Sequence, residues 1–331
     1  MLMQVLYLKK RFRSAGWRQG AGWLTPAIMA WLTCIAPAPA TAESLQSLGA
    51  RHGFTLYKES GDHIELRNEF QTLRFEPFSR KLWINGTLVW MNAPLSTANG
   101  RNEPASCDLY TSLLPFFSEK ELHTNRITTV VIDPGHGGMD GGATSHLDQE
   151  VEKRIVLEIA KRVQRDLAGT GINVLMTRAG DQTLTLDERV AFARQRHADV
   201  FLSIHLNAAP RRDANGVETY IMPSAGYPAT VTGHINNDAY SGNSYDGFNT
   251  LLAFYLQKGA LAHVKAEDRG VKRARYEVLR LASCPAALIE CGFLSSPSES
   301  GRLQRPDYRT QVADGITSGL LTYIRRVETM P

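Results

Sequence analysis

Apolar residues form short continuous runs in some segments of the chain and recur with the period of a helix in others. Residues 128–133 form a short apolar segment rich in Val and Ile, which is typical of a buried strand. In the segment 150–169, apolar residues 155, 159, 163 and 167 fall on one face of a helix. Further strands are predicted over 172–178, 199–209, 217–223 and 286–295, and further helices over 184–198 and 249–264. This alternation predicts an α/β fold with a single mixed, mostly parallel sheet flanked by helices.

A shorter period of two dominates residues 44–115 and predicts a small all-β module before the α/β region. Asn85-Gly86 separates two of its apolar runs and favours a tight hairpin, because a type I′ turn needs φ > 0 at both central positions. The module has no cluster of His or acidic residues. It is therefore interpreted either as a spacer or packing module or as a binding module.

Two segments lack either period and are predicted to be irregular. Residues 95–106 are rich in polar and turn-forming residues near the boundary of the β module. Residues 233–249 are rich in Gly, Asn and Tyr and are interpreted as a long loop.

The first 42 residues have the composition of a targeting segment. A basic start precedes an apolar stretch over 21–36, and Ala40-Thr41-Ala42 fits a small-residue cleavage site. The pattern predicts a secretory signal peptide over 1–42 and export to a periplasmic or extracellular location. An uncleaved membrane anchor is the alternative, although the apolar stretch is shorter than the ~20 residues of a spanning helix. After cleavage, no stable membrane span is expected.

Charge and cysteine content exclude two further classes. The formal net charge of the whole sequence is +4. Residues 1–42 contain five Lys and Arg and no Asp or Glu, so the remaining residues have a formal net charge of −1. No nucleic-acid partner is indicated by such a balance. Cys107, Cys284 and Cys291 remain after cleavage, and this odd number does not describe a disulfide framework. Cys284 and Cys291 are interpreted as small core residues.

Four polar residues stand at the ends of predicted strands or at the start of a predicted helix: His136, Glu152, His205 and Glu290. Such positions meet at one edge of a largely parallel sheet. Two imidazoles and one carboxylate are typical ligands of a catalytic zinc ion, and a further carboxylate serves as general acid and base. Three other interpretations compete: a turn residue at His136, a helix-dipole acid at Glu152 or its neighbour Glu150, and a hydrogen-bonded core histidine at His205.

Five sequence blocks in order resemble one known family: "VVIDPGHGGMDGGA", "EVEKRIVLEIAKRV", "ADVFLSIHLNA", "DRGVKRARYEVLR" and "ALIECGFLS". They are similar to the zinc-dependent N-acetylmuramoyl-L-alanine amidases of bacterial cell walls. The resemblance implies a zinc amidase domain over 128–327 that cleaves the amide between the lactyl group of N-acetylmuramic acid and L-alanine of the stem peptide, with peptidoglycan as its partner.

The same resemblance assigns roles to individual residues. It implies that His136, Glu152 and His205 bind one zinc ion and that Glu290 is the catalytic carboxylate. Asn207 and Arg275 lie in matching blocks, which implies that they orient the ligands or contact the substrate.

Two alternative functions stay open. One is a zinc peptidase that cuts within the stem peptide, and the other is a non-catalytic protein that binds the cell wall. Some relatives have an acidic helix that plugs the zinc site, but the segment 233–249 has few acids and no apolar period. An activator protein is therefore allowed but not indicated.

Overall fold

The computed structural model describes residues 43–97, 101–117, 122, 126–145, 147 and 151–328. The predicted signal peptide over 1–42 lies outside these residues. Glu43–Pro331 forms one compact unit. No helix among the described residues has the length and apolar character to cross a membrane.

The strands form one 11-stranded sheet with the order β1-β2-β3-β4-β5-β10-β9-β11-β8-β6-β7. Their bounds are Leu56–Ser60 (β1), His63–Arg67 (β2), Thr72–Phe75 (β3), Lys81–Ile84 (β4), Thr87–Trp90 (β5), Thr129–Pro134 (β6), Asn173–Met176 (β7), Val200–Asn207 (β8), Val217–Ile221 (β9), Asp268–Arg273 (β10) and Ala286–Phe293 (β11). Strands β6, β7, β8 and β11 are parallel, whereas β9 is antiparallel to β11. The predicted mixed, mostly parallel sheet of the α/β region is thus confirmed.

Strands β1–β5 form the predicted small all-β module, in which each strand is antiparallel to the next. The Asn85-Gly86 turn joins β4 to β5 with φ of 49° and 85°, as the hairpin pattern predicts. The module also extends the main sheet, because Val89 of β5 pairs in parallel with Val271 of β10. Both residues belong to the same apolar core.

The helices cover the sheet on both faces. Their bounds are Leu45–Arg51 (α1), Ser106–Asp108 (α2), Leu114–Phe117 (α3), Glu152–Asp166 (α4), Leu186–Gln195 (α5), Asp246–His263 (α6), Glu277–Arg280 (α7), Pro297–Leu303 (α8) and Pro306–Glu328 (α9). Helices α4, α6 and α9 pack in the larger core, and α5 and α7 pack in a smaller core on the other face. Thr185 and Glu188 form a capping box that begins α5.

Several elements differ from the sequence predictions. The predicted loop over 233–249 is wrong at its end, because Ser241–Tyr245 is a 3₁₀-helix and α6 begins at Asp246. Strand β10 was not predicted, since Arg269 and Gly270 break its apolar alternation. Helices α8 and α9 were not predicted either. Cys284 and Cys291 are buried and unpaired, which confirms their interpretation as core residues.

Candidate metal centre

Three residues that are distant in sequence converge at the carboxyl edge of the parallel strands. His136 follows β6, Glu152 is the first residue of α4, and His205 lies near the end of β8. One ligand atom from each residue lies within 4.8 Å of the other two. Within the described part of the chain, this is the single group of His, Cys, Asp and Glu residues with such spacing. Glu150, the competing neighbour of Glu152, lies outside the described residues.

Glu152 stands between the two imidazoles. Its Oε2 lies 3.1 Å from Nε2 of His136, and its Oε1 lies 3.0 Å from Nδ1 of His205. Two backbone amides also donate to it, Ala143 N at 2.8 Å and Leu206 N at 2.9 Å. Because these amides belong to the glycine-rich loop and to β8, they hold the carboxylate in one orientation between two segments.

Glycines make this close approach sterically feasible. A Cβ atom on Gly135 would lie 2.2 Å from Cε1 of His205, and one on Gly142 would lie 2.5 Å from Oε2 of Glu152. Gly142 also has φ of 71°, and His136 itself has φ of 59°. A left-handed conformation at a non-glycine residue costs free energy and is concentrated at functional sites.

Asp140 supports His136 from the side away from Glu152. Its Oδ2 lies 2.8 Å from Nδ1 of His136, so Nε2 is the nitrogen that faces Glu152. A carboxylate on the second nitrogen is the usual way in which a protein orients a metal-binding histidine. Sequence analysis missed Asp140, although its position four residues after His136 in the glycine loop was a usable signal.

Charges in the cluster alter two pKa values. Burial opposes ionisation of Glu152, but hydrogen bonds and charges from both histidines outweigh it and lower its pKa below the ordinary range. Burial lowers the pKa of His136, but Glu152 and Asp140 outweigh that effect and raise it to about 8. Both shifts reflect the same attraction between the carboxylates and the imidazoles within the cluster.

Glu290 lies beside this cluster on β11. It pairs in register with His205 of β8 on one side and with Glu218 of β9 on the other. Its Oε2 is the one carboxylate oxygen among the described residues that is buried without a hydrogen-bond partner. Burial raises its pKa well above the ordinary range, and the charges of Glu152 and Glu218 add to this. Such a group needs a partner, and the residues that the structure describes do not supply one.

Two further predicted residues occupy different surroundings. Asn207 donates from Nδ2 to Oε1 of Glu218 at 2.5 Å, at the same edge as Glu290. Arg275 donates instead to three backbone carbonyls, those of Tyr227, His234 and Asn236. The structure therefore places Asn207 beside Glu218 at the edge that holds Glu290, and shows Arg275 bound to the loop that follows β9.

Glu218 is a buried site residue that sequence analysis missed. Tyr220 donates to its Oε1 at 2.6 Å, Arg269 donates to its Oε2 at 2.7 Å, and Lys272 also donates to Oε2. In sequence, Glu218 is one polar residue in an apolar strand. Only the antiparallel pairing of β9 with β11 places it opposite Glu290.

These donors fit a divalent metal ion. Two imidazole nitrogens and one carboxylate oxygen are the ligand types of a catalytic zinc site. Glu290, with its unpartnered oxygen, lies on β11 directly opposite His205 of β8. The fold and the site thus define a class: an α/β protein with a His-Glu-His centre at the carboxyl edge of its sheet and a separate buried carboxylate beside it.

Comparison with known proteins identifies the family within this class. The family model Amidase_3, described as N-acetylmuramoyl-L-alanine amidase, matches residues 130–322. Because this match covers more than half of the chain, the protein belongs to the N-acetylmuramoyl-L-alanine amidase family. The family resemblance found in the sequence is thereby confirmed.

Curated relatives include two named amidases. The chain is 34% identical over 198 residues to the amidase LytC of Bacillus subtilis strain 168, with 60% of this chain and 36% of LytC covered. It is 29% identical over 254 residues to the amidase AmiA of Escherichia coli K12, with 69% and 82% covered. The match therefore spans about a third of LytC but most of AmiA.

Solved structures agree with the fold. An N-acetylmuramoyl-L-alanine amidase from Clostridium difficile 630 has a TM-score of 0.51 at 36% identity, with 60% of this chain and 97% of that chain covered. The catalytic domain of CwlV from Bacillus (Paenibacillus) polymyxa var. colistinus has a TM-score of 0.52 at 31% identity, with 61% and 100% covered.

Proposed function

We propose that the protein is a zinc-dependent amidase that hydrolyses the bond between the lactyl group of N-acetylmuramic acid and L-alanine in peptidoglycan. The observation that carries this proposal is the pairing of the His136, Glu152 and His205 cluster with the unpartnered buried oxygen of Glu290. Family membership supplies the substrate class.

His136, Glu152 and His205 would hold the zinc ion. When bound, the ion supplies positive charge that lowers the pKa of a water and of nearby carboxyl groups and polarises the substrate carbonyl. Asp140 keeps Nε2 of His136 turned toward the centre, and the amides of Ala143 and Leu206 hold Glu152.

Glu290 carries the proton in this mechanism. Its carboxylate accepts a proton from the attacking water as the water oxygen bonds to the amide carbon. The same carboxyl group then donates that proton to the nitrogen of L-alanine as the carbon–nitrogen bond breaks. The products are a lactyl carboxylic acid on the glycan and a stem peptide with a free amino terminus. No covalent link to the protein forms, so Ser and Cys nucleophiles are not needed.

Export to the wall is part of the proposal. It is supported by the signal-peptide pattern over 1–42 and by relatives such as the curated amidases LytC and AmiA. A similar solved structure is that of the CwlD amidase of Clostridioides difficile in complex with the GerS lipoprotein. An activator is not required by our proposal, because residues 222–240 of this chain contain no helix that would serve as a plug.

The decisive experiment is mass spectrometry of purified peptidoglycan after incubation with the purified protein, with chelator and after return of zinc. We expect peptide-free glycan and stem peptides that begin with L-alanine, lost with chelator and restored by zinc. Shortened peptides still attached to glycan would instead establish a peptidase. Intact peptidoglycan with folded, zinc-loaded protein would establish a binding protein.

A further inference from the structure

The buried carboxylate of Glu218 accepts hydrogen bonds from two cationic side chains. Arg269 and Lys272 both donate to its Oε2, while its Oε1 accepts from Tyr220 and Asn207. The side chain of Glu218 is 3% exposed, so water does not screen these charges strongly. Glu218 by itself balances the charge of only one of these two cations.

Three further acids lie near these two cations. Burial raises the pKa of one of them, Glu299, and the charge of Arg269 acts to lower it. Glu299 is paired with Arg302 at 2.9 Å and accepts from the amides of Gly216 and Phe293. Asp268 accepts from the amides of Leu88 and Gly270 and from the side chain of Gln257. Glu290, the remaining acid, lies opposite Glu218. Burial raises its pKa and the charge of Lys272 acts to lower it, so Lys272 faces both Glu218 and Glu290.

Arg269 is the cation that substrate can reach. Its side chain is 29% exposed, whereas that of Lys272 is 11% exposed. The guanidinium carbon lies 4.8 Å from the centre of the Phe293 ring, and Nε is bound to Glu218. Among the described residues, Arg269 makes one other hydrogen bond, a weak one from Nη1 to the carbonyl oxygen of Asn215 at 3.4 Å. The guanidinium is thus held in place while part of its donor edge stays available.

Sheet topology places Arg269 at the reaction edge. Strands β9 and β10 begin at the edge where β8 and β11 end, because β9 is antiparallel to β11 and parallel to β10. Arg269, near the start of β10, therefore lies two strands from Glu290, or about 10 Å at the usual strand spacing. An extended peptide advances about 3.3–3.6 Å per residue, so a group on the second or third residue beyond the cleaved bond spans that distance.

We propose that Arg269 binds the α-carboxylate of the second residue of the stem peptide. This inference rests on the proposed amidase function and names a specificity-determining residue for it. On the glycan side of the cleaved amide there are only hydroxyl and N-acetyl groups. On the peptide side, the second residue is a glutamate linked through its γ-carboxylate, which leaves the α-carboxylate either free or amidated. A partly exposed cation two strands from Glu290, with donors still available, therefore matches the peptide side.

A matched pair of substrates tests this inference. The two are soluble N-acetylmuramoyl peptides of equal length, one with a free and one with an amidated α-carboxylate at the second residue. For the unaltered protein we expect kcat/KM about 10-fold or more higher with the free carboxylate, carried mainly by KM, because a hydrogen bond between charged groups is stronger than one to a neutral amide.

Three variants separate recognition from folding. Arg269→Gln keeps a donor for Glu218 but removes the charge, so it should cleave both substrates at the rate of the amidated one. Arg269→Lys should keep only part of the preference, because an ammonium lacks the planar fork of a guanidinium. Arg305→Gln is the control, since Arg305 is 63% exposed and pairs with Asp307 away from the site. Thermal unfolding and zinc content are measured for each variant.

The outcomes distinguish this inference from the function on which it rests. If the unaltered protein cleaves both substrates equally, or if Arg269→Gln retains the preference, recognition by Arg269 is wrong and the amidase function stands. If the zinc-loaded protein cleaves neither substrate nor peptidoglycan, the amidase function is wrong and the inference falls with it.

Discussion

Two buried networks of charged residues occupy different parts of the same sheet, and they differ in whether their hydrogen bonds are complete. The first lies where the N-terminal β module meets β10 and centres on Asp108 and Arg273, both fully buried. The second lies at the carboxyl edge and centres on Glu290 and Glu218, which are 9% and 2% exposed.

The network at the module boundary is complete. Asp108 accepts from the amides of Asn92 and Ala93 and from the hydroxyl of Ser112. Each of the three guanidinium nitrogens of Arg273 donates, to the carbonyls of Trp90 and Met222 and to Ser112. A fully bonded buried network fixes one arrangement of the chain and leaves no group for a ligand.

At the carboxyl edge, the network is incomplete. Among the described residues, Glu290 has a buried oxygen without a partner, and Arg269 keeps part of its donor edge available. Burial of charged groups alone therefore does not mark a functional site. A functional site is marked by buried polar groups that lack hydrogen-bond partners, because a substrate or a metal ion can supply those partners.

The largest expected effect is on catalysis. Glu290→Gln should lower the rate of peptidoglycan hydrolysis by about 10²–10⁴-fold, because the amide cannot accept and return the proton. Zinc content, measured by atomic emission, should stay unchanged. Glu158→Gln is the control, since Glu158 is 55% exposed and pairs with Arg309 on the protein surface. Full hydrolysis by the Glu290 variant would remove this residue from the mechanism.

A change in the complete network should act on stability instead. Asp108→Asn replaces one acceptor oxygen with a donor that faces existing donors, so we expect a loss of about 2–4 kcal/mol in the free energy of unfolding. Denaturant titration measures this loss. At temperatures where the variant is folded, kcat should equal that of the unaltered protein. A reduced kcat with unchanged stability would contradict the division between the two networks.

Metal affinity should depend on the space left at Gly135. Gly135→Ala forces a methyl group against the His205 ring, so we expect zinc affinity to fall by about 10–100-fold, as for other changes that disturb a ligand's orientation. Gly180→Ala is the matched control, because the nearest atom to its added Cβ would be 3.7 Å away. Competition with a chromophoric chelator measures the zinc affinity of both variants. Equal affinities would show that the His205 ring does not need the space left at Gly135.

The smallest effect concerns Asp246, which joins the module-boundary network through Ser224. Burial raises its pKa from 3.8 to about 6, although Arg273, Ser224 and Asn243 oppose the change. Between about pH 4 and 6 the folded state therefore binds more protons than the unfolded state, so the free energy of unfolding falls as pH rises.

Asp246→Asn should lack this dependence. Relative to the unaltered protein, its free energy of unfolding should rise by about 2 kcal/mol between pH 4 and pH 7. Asp213→Asn serves as the control. Because Arg211 lowers the pKa of Asp213, replacing Asp213 should not make the free energy of unfolding rise with pH relative to the unaltered protein. Parallel pH profiles for the Asp246 variant and the unaltered protein would show that this carboxyl does not titrate as described.

Much of the fold was predictable because its signals are local. The period of apolar residues predicted α4, β8 and β11, and the Asn85-Gly86 pair predicted the hairpin. Strand β10 was missed because Gly270, with φ of 84°, interrupts its pattern at a bulge. The union of the β module with the main sheet was missed because the pairing of Val89 with Val271 joins residues that are distant in the chain and carries no local signature.

The residues of the candidate site likewise divide into those that local sequence signals predicted and those that they did not. His136, Glu152, His205 and Glu290 were selected because each is a polar residue at the end of an apolar element, and the structure brings them to one edge. Their roles as zinc ligands and catalytic carboxylate stay predictions. Asp140 and Glu218 were missed, since a single acid in a loop or strand is ambiguous until its neighbours in space are known.

By itself, the sequence determined the α/β class, the hairpin of the β module, the family and the residues from which a metal centre would be built. These properties depend on periodicity, turn geometry and motifs, all of which are local in the chain. Tertiary structure alone decided that the β module extends the sheet, that Glu218 faces Glu290, and that one of two buried charged networks is left incomplete. Strand order and side-chain partners decide those features, because they bring together groups that are separated by many residues in sequence.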